Sequence, residues 1–438
     1  MIKQNIQTML PKKHSFITAL HPFDIDHWMG NAQTAYEHGA DGVAIVTHHI
    51  GQITALKLCN KVKEKRPYHK VIVNILQVDP KWIFDTIFKS QELSKTIDWI
   101  WTDRAYIYGV DTYDKKYENN KYANEIKLLI EENERTWVYF GPFAFKWPYQ
   151  NIISEEEYWV AIKQAKNYLD VITTSGPWTW YEADVAKIKL IKQLAWEYPI
   201  ALASGLTPNN FDIYKDYHDI SIVFSGIWNS VTESLIPEKV ESFANEVTKK
   251  NNKQRLSEYT HKLFTEYQVS SYEELKTKIE NNENSINISS GSSNTVEKVL
   301  SNLYPSKFEL DGVTYASIEA FWMSLKYNIQ EEKEKIIGLH GREAKKSWFQ
   351  ARYNKYINYQ WTTIICWSNE HHQLLKRALQ AKFDQNLEIK NTLKESWDKK
   401  IVHIIFNKDW SLSNDSETIP SEILCELISS LRTHYQRS

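Results

Sequence analysis

Short runs of β-branched and aromatic residues alternate with helical patterns along the first 245 residues of the chain. The runs occupy residues 16–20, 42–46, 71–76, 99–102, 137–140, 171–174, 200–204 and 220–224. Stretches such as 28–37, 52–64 and 182–196 lie between them and show helical spacing of apolar residues. Alternating strands and helices favour a parallel sheet, and eight repeats of this size predict an α/β fold of the (β/α)8 or TIM-barrel type. A doubly wound sheet is the alternative.

The pattern changes after residue 248, so we predict that the barrel occupies residues 1–248. Residues 249–288 contain two helical patterns, at 256–266 and 272–279, and are interpreted as a helical linker. The stretch 281–293 is rich in Asn, Ser and Glu, which is typical of a linker or a domain edge. Residues 289–438 carry one short strand pattern at 307–310 followed mainly by helices. They predict a smaller, mainly α-helical (α+β) second domain.

Charge and cysteine content exclude several classes of protein. The formal net charge is −2, so the chain has no general attraction to phosphate backbones, and non-specific nucleic-acid binding is disfavoured. The cysteines Cys59, Cys366 and Cys425 are odd in number and far apart, which predicts neither a disulfide framework nor a metal site. No stretch resembles a signal peptide, and no 18 consecutive residues are apolar. We therefore expect a soluble cytoplasmic protein without a membrane partner.

The segment 301–327 of the second domain combines a turn, a helix start and a pair of ionisable residues. Asp311 and Gly312 predict a turn, and Ser317 is a good N-cap for a helix running to about residue 327. Glu319 and Lys326 are seven residues apart on this helix, which places them on nearly one face, roughly 10 Å apart along the axis. Trp322 lies between them, so the three side chains could form the wall of a binding pocket. The alternative is a solvated helix edge whose Trp packs into the core.

This segment resembles the NADAR (YbiA-like) domains, which carry a segment much like SNFYPSPFxLDGxxYPSxEHxxQxxK. The chain matches that segment at Ser301, Asn302, Tyr304, Pro305, Ser306, Phe308, Leu310, Asp311, Gly312, Tyr315, Ser317, Glu319 and Lys326. Residues 377–386 look like the family's RALxAKFxQN helix, and residues 419–432 fit its last helix. The resemblance covers about 145 residues in collinear order.

The resemblance implies an N-glycosidase that cleaves the bond between a base and the anomeric carbon of a ribose. Lys326 would attack C1 and form a transient imine, and Glu319 would transfer protons. The implied substrate is a small ribosylated base or an ADP-ribose or NAD-derived compound, and nucleic acid enters only as an ADP-ribosylated substrate. No cofactor is implied.

Further substrate-binding residues are implied by the same resemblance. Asn302 and Tyr304 would contact the substrate. Trp322 is added by its spacing on the helix rather than by the resemblance, and its ring could stack on the base. Trp410 stands in for the family Trp of the last loop, and Asp409 or His403 for its acid. A Gly-rich piece of the family pattern is replaced by residues 416–420, which leaves the identity of the leaving base open.

Two loops of the barrel carry a pattern that suits phosphate. Gly205 can let backbone approach a ligand, and Thr207 is a good N-cap for the helix that follows. Ser225 and Gly226 follow the eighth strand run and complete the phosphate site that such barrels often use. The alternative is a pair of ordinary strand–helix turns.

Histidines at strand ends suggest a further barrel site. His21 and His48 lie where barrel catalysis usually takes place, although a strand-end His is more often simply hydrogen-bonded. No set of His and carboxylates at metal spacing accompanies them. The barrel half resembles the BtpA family at residues 20–22, 39–43, 174–177 and 204–209, which suggests a phosphorylated ligand. The chain departs from that family at Trp178, Trp180, Trp228, His48 and His49.

Together these patterns predict a two-domain enzyme in which a barrel that binds a phosphorylated ligand is joined to an N-glycosidase. In the alternative, the barrel is the main enzyme, acting in ribose-phosphate or nucleotide metabolism. The second domain would then be an accessory module that binds ADP-ribose without turnover.

Overall fold

A computed structural model describes residues 14–65, 69–133, 137–146, 154–281, 284–290, 294–327, 329–347, 356–360, 362–365, 369–405 and 421–437. Contacts group the chain into two compact units, Met1–Asn251 and Asn252–Ser438. None of the helices in these described ranges combines the length and the apolar character that crossing a bilayer requires.

The first unit is a (β/α)8 barrel, as its pattern predicts. Its eight parallel strands close into a ring, each pairing with the next and the last pairing with the first. The strands are β1 (Ser15–Leu20), β2 (Gly42–Val46), β3 (Lys70–Asn74), β4 (Trp99–Trp101), β5 (Val138–Pro142), β6 (Val171–Ser175), β7 (Ile200–Ala203) and β8 (Ile220–Val223).

Helices follow the strands of the barrel and cover its outer face. They are α1 (Ile25–Glu37), α2 (Gln52–Lys65), α3 (Pro80–Lys89), α4 (Gln91–Thr96), α5 (Lys121–Glu132), α6 (Glu155–Tyr168), α7 (Val185–Ala195) and α8 (Phe211–Tyr214). Helix α9 (Pro237–Tyr267) begins in the first unit and continues past Asn251 into the residues of the second unit. Short 3-10 turns lie at Lys115–Tyr117 and Ser225–Ile227, and a small hairpin pairs β9 (Trp228–Asn229) with β10 (Ser234–Leu235).

Alternation along each strand divides the apolar residues between two layers. In β1, Ile17 and Ala19 belong to a cluster made almost entirely of strand residues, which fills the interior of the ring. Phe16 and Leu20 point the other way and pack with helix residues such as Trp28. Successive side chains of a strand point to opposite faces, so a strand buried on both faces reads as a continuous apolar run.

Four aspartates join the strands in pairs by hydrogen bonds, and each lies just before an even-numbered strand. Asp41, Asp98, Asp170 and Asp219 each precede one of these strands, and each carboxylate accepts a backbone N–H from the strand before it. The N···O distances are 2.8 Å from Phe16, 2.8 Å from Val71, 2.8 Å from Tyr139 and 2.9 Å from Ile200. The backbone N–H of each aspartate donates in return to the carbonyl of the same residue. The barrel therefore repeats one two-strand arrangement four times.

The second unit is mainly helical, with three small two-stranded sheets among its described residues. Its helices are α10 (Tyr272–Glu280), α11 (Thr295–Lys298), α12 (Ile318–Ser324), α13 (Gln330–Ile337), α14 (Gly341–Lys346), α15 (Asn369–Gln385), α16 (Leu387–Glu395) and α17 (Ser421–Arg437). Its strands are β11 (Ser285–Asn287), β12 (Phe308–Leu310), β13 (Val313–Tyr315), β14 (Tyr356–Tyr359), β15 (Thr362–Ile365) and β16 (Lys400–Val402).

The predicted turn and strand of the second unit are present. Strands β12 and β13 form an antiparallel hairpin, and its turn residues Asp311 and Gly312 have φ of +50° and +81°. An Asp side chain tolerates this left-handed conformation and Gly adopts it without strain, so the Asp–Gly pair suits the turn. Arg377 donates to both carboxylate oxygens of Asp311, at 2.7 and 2.8 Å, and fixes the hairpin on α15.

Residues 252–288 take part in the packing of the second unit. Strand β11 pairs in parallel with β16, and Leu263, Leu275 and Ile279 share an apolar cluster with Val402 and Ile404. The contact boundary at Asn251 thus lies close to the limit predicted at 248. The separation of a linker ending at residue 288 stays a prediction.

Candidate functional site

The carboxyl group of Glu319 is buried and held by Asn302. Ser317 caps α12, its side chain accepting the N–H of Ala320, and this places Glu319 in the first turn of the helix. The Glu319 side chain has no exposed surface. Its backbone N–H donates to the Asn302 carbonyl at 3.1 Å, and the Asn302 side-chain amide donates to Glu319 Oε2 at 2.5 Å. Two contacts between the same residues fix the direction in which the carboxyl points.

Lys326 lies beside Trp322, two residues past the end of α12. The helix ends at Ser324, three residues before the predicted end, yet the Lys326 N–H still donates to the Met323 carbonyl at 3.1 Å. Lys326 Nζ lies 4.9 Å from the centroid of the Trp322 ring, within cation–π distance. The structure therefore brings the predicted lysine and the predicted aromatic wall together.

His371 of α15 supports Trp322 and was not predicted. The two rings stack with centroids 4.9 Å apart and planes inclined by 26°. Burial, with smaller effects from the charges of His372 and Lys326, lowers the pKa of His371 to about 3. Its imidazole is therefore neutral at pH 7. A neutral ring can back Trp322 without adding a second positive charge near Lys326.

A fully buried lysine, also missed by the sequence reasoning, holds the loop that carries Asn302. Lys382 Nζ donates to the Ser301 carbonyl at 2.8 Å and lies 3.4 Å from the Val299 carbonyl. Burial lowers the pKa of Lys382 to about 7. A neutral amine keeps two N–H donors, enough for both carbonyls. The signal in the sequence is a lysine inside the apolar pattern of residues 377–386.

This burial predicts a pH-dependent contribution of Lys382 to stability. Its pKa is near 7 in the folded chain and about 10.4 when unfolded, so the unfolded state binds more protons between these values. The contribution of Lys382 should therefore rise with pH above 7, by about 1.4 kcal/mol per pH unit at most. Below pH 7 the buried Lys382 amine is charged, so the free-energy cost of burying that charge applies in full only there.

Urea unfolding of the wild type and of Lys382→Met at pH 7.5 and pH 9 tests this prediction. Subtracting the two free energies of unfolding cancels the groups that titrate in both proteins. The free energy of unfolding of the wild type, relative to that of Lys382→Met, should be larger at pH 9 than at pH 7.5. A difference that is the same at both pH values would show that Lys382 does not change its protonation on folding.

Of the remaining residues predicted for the second unit, Tyr304 and His403 are described, whereas Asp409 and Trp410 are not. Tyr304 is half-buried and packs against the apolar core of this unit. His403 is buried, and its Nδ1 lies 2.9 Å from Ser421 Oγ. Asp409 and Trp410 lie outside the described residues, so their roles stay predictions.

The first unit has an open pocket at the carboxyl ends of its strands. All eight strands or the loops after them contribute to it, and it spans about 460 Å³ including its mouth. The predicted pair His21 and His48 lies here, with stacked rings 4.5 Å apart. Ser225 also lines the pocket, with the unpredicted residues Asn74, Asp103 and Lys146. Asp103 could have been found from its place just past a strand run.

The predicted phosphate loops pack closely on their neighbours. A Cβ on Gly226 would lie 2.1 Å from the Leu206 carbonyl oxygen, and one on Gly205 would lie 2.5 Å from the Tyr181 carbonyl oxygen. The Thr207 N–H donates to Asn210 Oδ1 at 2.8 Å, and Thr207 Oγ1 accepts the Asn210 N–H at 3.2 Å. Close contact between adjacent loops thus explains both glycines, and phosphate binding there stays a prediction.

Comparison with known proteins adds a family match within the second unit. The family described as Bacteriophage protein GP30.3 matches residues 295–432, well under half of the chain. The matched range contains Asn302, Glu319, Trp322 and Lys326. No curated protein matches the chain.

Several solved structures are similar to parts of the chain. N-(5'-phosphoribosyl)anthranilate isomerase from Pyrococcus furiosus is 16% identical over 53% of this chain and 98% of its own, with a TM-score of 0.37. (S)-3-O-geranylgeranylglyceryl phosphate synthase from Thermoplasma acidophilum is 12% identical over 56% and 98%, with a TM-score of 0.40. The E. coli protein YbiA is 17% identical over 36% and 90%, with a TM-score of 0.26. These values leave the function open, so the proposals below rest on the chain's own residues.

Proposed function

We propose that the second unit is an N-glycosidase that hydrolyses the bond between a base and ribose in a ribosylated base or an ADP-ribose or NAD-derived compound. One observation carries the proposal. Helix α12 presents a buried carboxyl group, Glu319, held by Asn302, and the residue two turns further on is a lysine whose amine lies against Trp322. An acid, a potential nucleophile and an aromatic wall on one short segment are the groups this reaction needs.

The proposed reaction begins at C1 of the ribose. The neutral Lys326 amine forms a bond to C1 as the bond from C1 to the base breaks, and the departing electron pair stays on the base. The Glu319 carboxyl gives its proton to the base. The C1–oxygen bond of the ring then opens, its oxygen takes the proton released from the lysine nitrogen, and an imine remains between C1 and Lys326. Water adds to the protonated imine and releases the neutral amine and the sugar product, which is ribose, ribose phosphate or ADP-ribose according to the substrate. The proton set free in this step returns to the Glu319 carboxylate.

Asn302 and Trp322 have supporting roles in this mechanism. The Asn302 amide keeps one carboxyl oxygen of Glu319 in place, so the group need not reorient when the base departs. The Trp322 ring offers an apolar surface beside the amine. The ring limits the space open to the amine and so helps to hold it toward C1.

A screen of base release from ribosylated compounds tests the proposal. The full chain is incubated with NAD, ADP-ribosylated guanosine and phosphoribosylated bases, and free base is measured by chromatography. Binding is measured in parallel by calorimetry. At least one compound should release base catalytically, and the release should be lost in Lys326→Ala. Binding without release would instead support the accessory-module alternative, in which the unit holds ADP-ribose only.

A further inference from the structure

The barrel pocket contains a charged pair that the proposed function of the second unit does not use. Among the described side chains that line it, Asp103 and Lys146 are charged, and they come from the loops after β4 and β5. Burial, aided by nearby His48, His49 and Lys146, lowers the pKa of His21 to about 3. Burial, with the charge of Lys146, also lowers the pKa of His48. The pocket thus offers one ammonium, one carboxylate and two uncharged imidazoles at pH 7.

The loop that carries Lys146 is held in a strained backbone conformation. Ala144 and Lys146 have φ of +44° and +55°, a region that costs a residue with a side chain roughly 1–2 kcal/mol. Contacts at the end of β6 compensate. The Lys146 N–H donates to Ser175 Oγ at 3.0 Å, and Lys187 Nζ donates to the carbonyls of Ala144 and Ser175 at 2.8 and 2.7 Å. Strain maintained in this way is typical of binding and catalytic sites.

The charged pair leaves room for a ligand. Lys146 Nζ lies 3.7 Å from Asp103 Oδ2, which is too long for a hydrogen bond. Asp103 is held in place from its other oxygen, since the Asn74 amide donates to Oδ1 at 3.1 Å and to the Trp101 carbonyl at 3.0 Å. An oxygen atom of a ligand can therefore take up the donors of Lys146 without breaking a hydrogen bond among the described residues.

One wall of the pocket is a stack of flat rings. The His21 ring lies against Phe224, with centroids 4.1 Å apart and an inclination of 28°, and against His48 at 4.5 Å and 6°. Ala19, Val46 and Ile222 provide apolar surface further along the strands. Such a wall accepts the C–H face of a sugar, while the imidazole nitrogens can bond its hydroxyls.

We propose that this pocket binds a small sugar phosphate. Lys146 would bind the phosphate, and Asp103 and the neutral imidazole of His48 would accept hydrogen bonds from sugar hydroxyls. A ligand bearing only anionic oxygens would be repelled by Asp103, and one bearing only hydroxyls would leave the ammonium without an anion. A ligand with both groups satisfies both charges. This site is independent of the reaction proposed for the second unit.

Calorimetry on the full chain with ribose 5-phosphate, ribose and inorganic phosphate tests the inference. Ribose 5-phosphate should bind at least ten times more tightly than either of the other two probes. Lys146→Met should weaken its binding at least tenfold, and Lys146→Gln serves the same purpose if the Met variant unfolds. The matched control is Lys189→Met, which removes an exposed lysine from α7 and should leave the affinity unchanged.

Two further variants make the outcome specific. Asp103→Asn should weaken binding of ribose 5-phosphate but strengthen that of inorganic phosphate, because the repulsion of the anion disappears. Lys326→Ala should leave ribose 5-phosphate binding intact, which separates this site from that of the second unit. Equal affinities of wild type and Lys146→Met, failure of ribose 5-phosphate to bind, or equally tight binding of inorganic phosphate would overturn the proposal.

Discussion

Lys326→Arg is expected to release base no faster than Lys326→Ala, with both rates at the level of the uncatalysed reaction. The reason is chemical. Arginine keeps the positive charge beside Trp322, but its guanidinium stays protonated in proteins and has no free electron pair for C1. The initial rate of base release, measured by chromatography on the best substrate of the screen, gives the comparison. Borohydride added during turnover should also trap a ribosyl adduct on Lys326 of the wild type, visible by mass spectrometry.

The matched control for this prediction is Lys335→Arg. Lys335 is exposed on the neighbouring helix α13, so the change leaves the segment of Lys326 untouched and the rate should not change. Full activity of Lys326→Arg would show that only positive charge is needed. The covalent imine would then have to be abandoned, and Lys326 would become a group that stabilises negative charge.

Glu319→Gln is expected to slow base release by about 10²–10⁴-fold, the usual contribution of proton transfer by a positioned side chain. The change is nearly isosteric, and the carbonyl oxygen of Gln can still accept from the Asn302 amide, so folding should be preserved. Rates are measured across pH 5–9 for the wild type, Glu319→Gln and the exposed control Glu331→Gln. The limb of the pH–rate profile that belongs to Glu319 should disappear in Glu319→Gln alone.

A merely structural role for Glu319 predicts a different result. Glu319→Gln would then lower thermal stability and leave the shape of the pH–rate profile unchanged. A rate within tenfold of the wild type with an unaltered profile would remove Glu319 from the proposed mechanism, whatever the outcome for Lys326.

The barrel could be predicted because its strands are buried on both faces. A strand of this kind reads as an unbroken apolar run, and the runs at 42–46 and 171–174 lie within one residue of β2 and β6 at each end. The sheet formed by β11 and β16 in the second unit could not be predicted in the same way. Strands β11 and β16 have three residues each and pair across more than 100 positions, so local pattern carries no signal for them.

The sites were predicted unevenly for physical reasons. Glu319 and Lys326 are seven residues apart on the short segment that forms α12 and the turn after it, so local spacing relates them directly. From α15, His371 contacts Trp322 and Lys382 contacts the loop that carries Asn302, and only folding brings them there. Lys146 was missed because its left-handed backbone is maintained by distant contacts rather than by a glycine.

A glycine indicates that something approaches the backbone closely, but not what approaches. For Gly226 the approaching group is the backbone of Leu206 and Thr207. Phosphate binding at this loop, which the sequence suggested from the same glycine, stays a prediction.

The hydrogen bonds of the four aspartates also affect how the entropy cost of closing the barrel is divided among its strand pairs. Each of these hydrogen bonds joins residues only 19 to 31 positions apart, so each strand pair closes a short loop. The ring is completed where Ser15 pairs with Ile220, at opposite ends of the barrel sequence. The loop closed by this pairing is about three doublings longer than those closed by the aspartates. Because each doubling of loop length costs roughly 0.6 kcal/mol of entropy, its closure costs about 2 kcal/mol more. The pairing of β8 with β1 is thus the single most costly closure of the ring.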